Sequence, residues 1–221
     1  ITHPLRVTYA KDLEQFYFKP FKQTFDSFKK EISILILPGS RNFEVKELLP
    51  DFCQAVKILK QKYNVKVNLV KSSSVKKELF YKYESLFDTV YKDDELIEAM
   101  QNSDLCMAAS GTVTLATAIF ELPTVICYRS SLFNYFIYET LISYKGPIGL
   151  GNIVHQKRVC PELIQDKVSP FNIVRYLDMW IQNETMFIET KSELKKTKEL
   201  VLGEDLNVPE YMASILNGVN N

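Results

Sequence analysis

Three short polar turns, each directly after an apolar run, carry the residues of this sequence that are best suited to bind a phosphate. They are Gly39, Ser40 and Arg41 in the first turn, Ser110, Gly111 and Thr112 in the second, and Tyr128, Arg129 and Ser130 in the third. Guanidinium groups form charge-assisted hydrogen bonds with phosphate, and the first amides of a helix have no partner within it. Because the carboxyl ends of parallel strands meet at one edge of a sheet, we expect these turns to line one rim and to bind a diphosphate.

Each turn also has a structural explanation. Ser110 or Thr112 could simply cap the helix that follows, and Arg41 and Arg129 could be solvated loop residues. The expected position of all three turns on one rim of the sheet favours a ligand site over these structural explanations. A charge-assisted arginine–phosphate contact contributes roughly 1.5–3 kcal/mol, so two or three of them support a nucleotide at micromolar affinity.

Other nucleotide and hydrolase motifs are missing from the sequence. Neither G-x-G-x-x-G after a strand nor G-x-x-x-x-G-K-[ST] occurs, which argues against a dinucleotide oxidoreductase and a P-loop NTPase. G-x-S-x-G is absent as well, so a Ser-His-Asp hydrolase is not expected. His3 and His155 have no second group of metal-ligand type nearby, and we expect neither a metal site nor a cofactor.

The elements that must hold the three turns alternate between strands and helices. Apolar, β-rich runs predict strands at residues 32–37, 65–70, 87–90, 105–109 and 124–128. Helices are predicted between them at residues 44–63, 72–83 and 113–120, with a further helix capped by Asp93 and Asp94 that ends at Met100. This alternation predicts an α/β fold, a doubly wound parallel sheet of the Rossmann-like type.

The remaining segments are predicted to be mostly helical. The pattern predicts an aromatic helix at residues 132–144, a loop at 145–152, a short helix from residue 161 and two longer helices at 170–183 and 190–202. Aromatic and lysine residues are interleaved at residues 16–28, a pattern that favours packing over single-stranded nucleic-acid contacts.

Composition narrows the class of protein further. Lys+Arg and Asp+Glu are equal at 27 each, so no basic field suggests nucleic acid as a partner. The four cysteines show no CxxC pairing and lie mostly in apolar runs, which is typical of buried thiols in a reducing cytoplasm, and neither disulfides nor structural zinc are expected. No apolar run approaches the ~20 residues that span a bilayer.

An ordered set of short motifs resembles a known family. LPGSR followed by FEV, then ASGTVTL, PTVICYRSS, IGLGNIV and RVCPELIQD resemble, in this order, the C-terminal half of lipid-A-disaccharide synthases, over about residues 32–166. Residues 3–5 resemble the family's HPL segment, which lies where the N-terminal domain meets the C-terminal one. The resemblance implies a junction with an aromatic helix from a truncated N-terminal domain at 1–30, a UDP-sugar-binding Rossmann-like domain at 31–202 and a tail helix at 203–221.

The family resemblance implies an activity and a set of site residues. It implies half of an inverting GT-B glycosyltransferase that joins UDP-2,3-diacylglucosamine to 2,3-diacylglucosamine 1-phosphate and releases UDP. Arg41 would face the diphosphate and Asn152 would lie near the donor, both in catalytic roles, with Glu162 and Gln165 in the family's PELIQ segment. The implied location is the cytoplasmic face of the inner membrane of a Gram-negative bacterium, peripherally attached, and a homodimer can form. The isolated chain is expected to be inactive.

Three departures from the family pattern concern the donor site. Ala116 stands where the family has a glutamate suited to the ribose hydroxyls, and Glu121 is too far round the helix to replace it. Gly151 replaces a proline before Asn152, and residues 155–157 replace a smaller, glycine-containing segment. Two alternatives stay open: another UDP-sugar GT-B enzyme, such as an N-acetylglucosaminyltransferase or a UDP-N-acetylglucosamine 2-epimerase, and a non-catalytic interaction module built on the aromatic stretches.

Overall fold

The computed structural model describes residues 31–129 and 146–202, which contain a six-stranded parallel sheet. The strands stand in the order β3-β2-β1-β4-β5-β6. Their bounds are Ile32–Leu37 for β1, Val65–Val70 for β2, Thr89–Tyr91 for β3, Leu105–Ala109 for β4, Thr124–Tyr128 for β5 and Glu162–Ile164 for β6. The predicted α/β fold with a parallel sheet is confirmed, and four of its strands have the predicted bounds.

Helices cover both faces of this sheet. They are α1 at Asn42–Lys60, α2 at Glu78–Tyr81, α3 at Leu96–Gln101, α4 at Val113–Ile119, α5 at Leu150–Val154, α6 at Pro170–Gln182, α7 at Glu184–Lys195 and α8 at Thr197–Leu202. Within the described residues, none of these helices is long and apolar enough to cross a membrane.

Alternate residues of β1 divide the core into two layers, because successive side chains of a strand point to opposite faces. Ile32, Ile34 and Ile36 pack in the cluster that contains the buried faces of α1 and α6 and Phe187 of α7. Leu35 and Leu37 pack in the other cluster, with α3, α4 and α8. Burial on both faces explains why the strands read as nearly continuous apolar runs.

The four cysteines are all buried, as their apolar surroundings predicted. Burial raises the pKa of the Cys53 thiol, near Lys57, to about 12, and burial likewise raises the pKa of Cys160 to about 12. These thiols are therefore protonated at neutral pH and act as small apolar side chains in the core.

Several predicted helices are wrong in the described residues. Residues 161–165 do not start a helix: Glu162–Ile164 forms β6, which pairs with β5 through Ile126↔Glu162 and Tyr128↔Ile164. Residues 72–83 hold a turn and the short α2 rather than one long polar helix. The helix predicted at 190–202 is two helices, α7 and α8, which are separated at Lys196. Asn183 caps the earlier start of α7 by accepting a hydrogen bond from the Met186 amide.

Other predicted elements lie outside the described residues. These are the aromatic stretches at 16–28 and 132–144 and the tail segment beyond residue 202.

The end of β1 and the end of β4 are neighbours although they are far apart in the chain. The chain order reverses between these two strands, which is where open α/β sheets bind their ligands.

Candidate functional site

A cleft of about 390 Å³ lies at the carboxyl ends of β1 to β4. Two of the predicted turns line it, residues 39–41 after β1 and residues 110–112 after β4. We call them the 39–41 turn and the 110–112 turn. The far wall comes from Val70, Ser72, Asp93 and Leu96. The two turns therefore meet in one cleft at the switch point of the sheet, as the parallel strand order requires.

Arg41 holds an exposed guanidinium at the mouth of this cleft. Its side chain is 80% exposed, and its Nη1 lies 2.8 Å from Glu44 Oε1. The turn below it is supported by Ser74, whose hydroxyl donates to the Ser40 carbonyl oxygen at 2.7 Å, and by Asn42, whose Oδ1 accepts from the Lys76 amide at 2.8 Å. The positive charge of Arg41 is thus exposed to solvent on a turn that hydrogen bonds from Ser74 and between Asn42 and Lys76 hold in place.

Glu44 changes the interpretation of the 39–41 turn. Its Oε2 accepts hydrogen bonds from the backbone amides of Ser40 at 3.0 Å and Arg41 at 3.2 Å. The expectation that these amides stand open for a phosphate is therefore wrong, because a carboxylate three residues into α1 already caps them. Gly39 has a φ of 116°, and a Cβ there would collide with the Glu44 carboxylate, so the turn requires glycine.

In the 110–112 turn the Ser110 amide donates to the Cys127 carbonyl oxygen at 2.8 Å, and the amides of Gly111 and Thr112 are open. Neither predicted cap forms: the side chain of Thr112 makes no capping hydrogen bond, and the Ser110 hydroxyl donates to the Ile148 carbonyl oxygen at 3.3 Å. No acceptor among the described residues pairs with the amides of Gly111, Thr112 or Val113. Nothing lies within 4 Å of where a Gly111 Cβ would be. Since α4 is short, these amides would bind an anion mainly as hydrogen-bond donors, and the helix dipole would add little.

Asp93 lines the far wall of the cleft and was predicted only as a helix cap. Its Oδ2 accepts from the Ser73 amide at 2.7 Å, so it reaches back to the loop after β2. Burial by itself would raise the pKa of Asp93, but hydrogen bonds from the Ser73 amide and the Ser72 and Ser73 hydroxyls outweigh it and lower the pKa. Asp93 and Glu44 thus place two carboxyl groups in the lining of the cleft beside Arg41.

Arg129 lies at the end of β5 but does not line the cleft. Its Nη1 and Nη2 donate to the carbonyl oxygens of Glu47 and Val168, each at 2.7 Å, and Nη1 lies 2.7 Å from Asp51 Oδ2. Burial raises the pKa of Asp51, and Arg129 partly opposes that rise. The guanidinium therefore ties α1 to the segment before α6, and the structure does not bring it to the two turns.

A family model for lipid-A-disaccharide synthetase matches residues 1–216 of this chain. The chain belongs to the lipid-A-disaccharide synthetase family. The family that the ordered motifs predicted is thereby confirmed. The lipid-A-disaccharide synthase of Persephonella marina is 32% identical over 197 residues, which cover 83% of this chain and 52% of that protein. The chain spans about half the length of the curated relatives it matches.

Solved structures with similar folds are glycosyltransferases and nucleotide-bound enzymes. WaaG, a glycosyltransferase involved in lipopolysaccharide biosynthesis, matches with a TM-score of 0.50 at 16% identity, over 97% of this chain and 51% of that one. MnaA of S. aureus, solved with UDP, matches with a TM-score of 0.51 at 15% identity, over 96% and 52%. At such identities the likeness concerns the fold alone, and the sheet corresponds to one half of a GT-B glycosyltransferase.

Asn152 and Glu162, which the family resemblance puts near the donor, form a buried pair instead of lining the cleft. Asn152 is 1% exposed, and its Nδ2 donates to the Cys160 carbonyl oxygen at 2.7 Å and to Glu162 Oε1 at 2.9 Å. Its Oδ1 accepts from the Cys160 amide at 2.9 Å. Gln165 follows β6 with a φ of 53° and is not among the residues that line the cleft. Hydrogen bonds through residues 148–150 connect this pair to the 110–112 turn.

The departures from the family pattern have structural reasons. Ala116 is 1% exposed within the apolar cluster of α4, so this chain has packing at the position where the family resemblance implies a carboxylate for the ribose. A Cβ on Gly151 would lie 2.8 Å from the Thr114 carbonyl oxygen and 2.9 Å from the Ala118 Cβ. Glycine there lets α5 lie directly against α4. The described residues contain no group of three His, Cys, Asp or Glu side chains arranged to hold a metal ion.

Proposed function

We propose that this chain is the donor-nucleotide half of a lipid-A-disaccharide synthase. In this reaction a UDP-2,3-diacylglucosamine donor transfers its sugar, with inversion, to 2,3-diacylglucosamine 1-phosphate, giving lipid A disaccharide 1-phosphate and UDP. The supporting observation is that Arg41 and the open amides of Gly111 and Thr112 line one cleft at the switch point of a GT-B-type sheet. Family membership supplies the substrate class.

These groups suit the departure of a diphosphate. When the bond between the sugar and the diphosphate breaks, negative charge develops on the leaving oxygens. The Arg41 guanidinium and the amides of the 110–112 turn would stabilise that charge, since they are held in position before the reaction. Glu44 keeps the Arg41 side chain at the cleft mouth through its 2.8 Å ion pair. Arg41 is accordingly the catalytic residue of this half.

The acceptor and its general base are expected to come from the other half of the enzyme. In a GT-B enzyme the donor lies between two domains, so the isolated chain should bind UDP without transferring sugar. Both substrates carry acyl chains, each buried CH₂ of which favours the membrane by about 0.8 kcal/mol. We therefore propose that the enzyme works peripherally at the cytoplasmic face of the inner membrane. A homodimer stays a prediction.

Isothermal titration of the chain with UDP tests this proposal. We expect micromolar to submillimolar binding, and Arg41→Ala should weaken it about 10- to 100-fold, because one charge-assisted contact to phosphate is lost. The matched control is Lys46→Ala, which removes an exposed positive charge from the same helix outside the cleft. UMP serves as a second ligand, since Arg41→Ala should cost less affinity when the β-phosphate is missing. Absence of UDP binding at millimolar concentration would contradict the proposal.

A further inference from the structure

We propose that Glu162 is a positioning residue for the donor site: from the edge strand β6 its buried carboxylate fixes residues 148–150, which in turn hold the 110–112 turn. This inference rests on the proposed UDP site. Glu162 does not line the cleft, and its side chain is 1% exposed. A carboxylate buried to this degree requires hydrogen-bond donors, and the donors it has define its role.

One oxygen of Glu162 collects three of these donors. Oε1 accepts from the backbone amides of Ile148 and Gly149 and from Asn152 Nδ2, each at 2.9 Å. Gly149 is the N-cap residue of α5, so the carboxylate supports the start of that helix from the strand β6. The other oxygen, Oε2, lies 3.3 Å from Arg158 Nε, whose side chain is half exposed.

The opposite side of residues 148–150 contacts the 110–112 turn. The Leu150 amide donates to Thr114 Oγ1 at 2.9 Å, and this hydroxyl donates to the Gly111 carbonyl oxygen at 2.7 Å. The Ile148 carbonyl oxygen accepts from the Ser110 hydroxyl. Residues 148–150 thus lie between Glu162 and the turn whose amides are open to the cleft. A displacement of this segment would change the direction of those amides.

Asn152 belongs to the same arrangement. Both hydrogens of its amide are used, one on Glu162 and one on the Cys160 carbonyl oxygen. It therefore aligns the Glu162 carboxylate with the start of α5. We infer that this asparagine acts on the donor through Glu162 and residues 148–150, without contacting the nucleotide itself.

Two substitutions of Glu162 and one control test the inference. In Glu162→Ala the Ile148 and Gly149 amides lose their acceptor, and UDP affinity should fall about 5- to 20-fold, as expected from losing charge-assisted hydrogen bonds that hold the turn. Glu162→Gln keeps one acceptor oxygen and should lose less, about 2- to 5-fold. The control is Ser169→Ala, which removes the hydroxyl that caps α6 and lowers stability in the core cluster that does not contain Leu150. It should leave UDP affinity within about twofold.

Amide NMR resonances of the ligand-free variants give a readout that a loss of overall stability would not produce. The signals of Gly111 and Thr112 should shift in both Glu162 variants, whereas that of Gly39 should stay in place. Wild-type UDP affinity and unshifted Gly111 and Thr112 signals in Glu162→Gln and Glu162→Ala would overturn the inference. An affinity loss equal to that of Ser169→Ala would overturn it as well. A wild-type chain that does not bind UDP would instead overturn the proposed function.

Discussion

At the scale of single residues, the two turns of the cleft have different chemistry although both follow a buried strand. In the 39–41 turn the amides of Ser40 and Arg41 are satisfied by Glu44, and the exposed Arg41 guanidinium is what remains for a ligand. In the 110–112 turn the side chain of Thr112 makes no capping hydrogen bond, and the amides of Gly111 and Thr112 are open. One turn therefore offers charge and the other offers backbone donors.

Gly111 should be required for the ligand and not for the fold. A methyl group there meets nothing within 4 Å, and the backbone of Gly111 is not left-handed, so Gly111→Ala should fold and gain up to about 1 kcal/mol of stability. The methyl group would stand where a diphosphate approaches the amides, and we expect UDP affinity to fall about tenfold. Calorimetric titration and urea unfolding measure the two effects.

Gly39→Ala is the matched comparison for that variant, because its φ of 116° and the contact with Glu44 predict a loss of stability. If Gly111→Ala bound UDP as tightly as the unmodified chain, the 110–112 turn would not be the diphosphate site.

At the scale of elements, the sequence predicted what depends on neighbouring residues. The bounds of β1, β2, β4 and β5 follow from short apolar runs that end at polar turns. The strand β6 could not be predicted in this way, because it exists through its pairing with β5 and the burial of Leu163. The capping role of Glu44 was detectable, since a glutamate three residues after the N-cap residue of a helix, here Arg41, is a known capping pattern. The buried pair of Asn152 and Glu162 was not, because it joins α5 to a strand.

The contact of His155, the C-cap residue of α5, with Thr197 of α8 should make stability depend on pH. The His155 ring nitrogen Nε2 lies 2.8 Å from Thr197 Oγ1. Burial lowers the pKa of His155; Glu193 raises it in opposition, and Lys157 and Lys196 lower it further. The unfolded chain thus binds this proton more readily, so stability should fall as pH drops through and below about 6.5.

His155→Gln should reduce this dependence. Thermal unfolding followed from pH 8 to pH 5.5 should show a smaller decrease of Tm in the variant than in the unmodified chain. Equal decreases would show that the ring of His155 does not titrate differently in the folded chain.

At the scale of the whole molecule, the position of the cleft follows from topology, whereas the role of Arg129 depends on long-range contacts. The order of the strands brings the ends of β1 and β4 together, and this much could be anticipated from an alternating α/β pattern. Arg129 also follows a strand, which is why it was predicted to bind the diphosphate. Its actual partners are Glu47, Asp51 and Val168, which are distant in the chain and carry no local signal.

Arg129→Ala should therefore lower stability and have little effect on the UDP affinity of the cleft. Removing the guanidinium breaks two charge-assisted hydrogen bonds and leaves the partly buried Asp51 without its ion-pair partner, so the free energy of unfolding should drop by about 2–4 kcal/mol. UDP affinity, measured on the folded variant by calorimetry, should change less than about threefold, since Arg129 does not line the cleft. Arg129→Lys keeps the charge beside Asp51 but loses the fork that reaches both carbonyl oxygens, and it should recover only part of the stability. The opposite pattern, full stability in urea unfolding with UDP binding abolished, would restore Arg129 to the diphosphate site and would mean that its guanidinium leaves α1 when the donor binds.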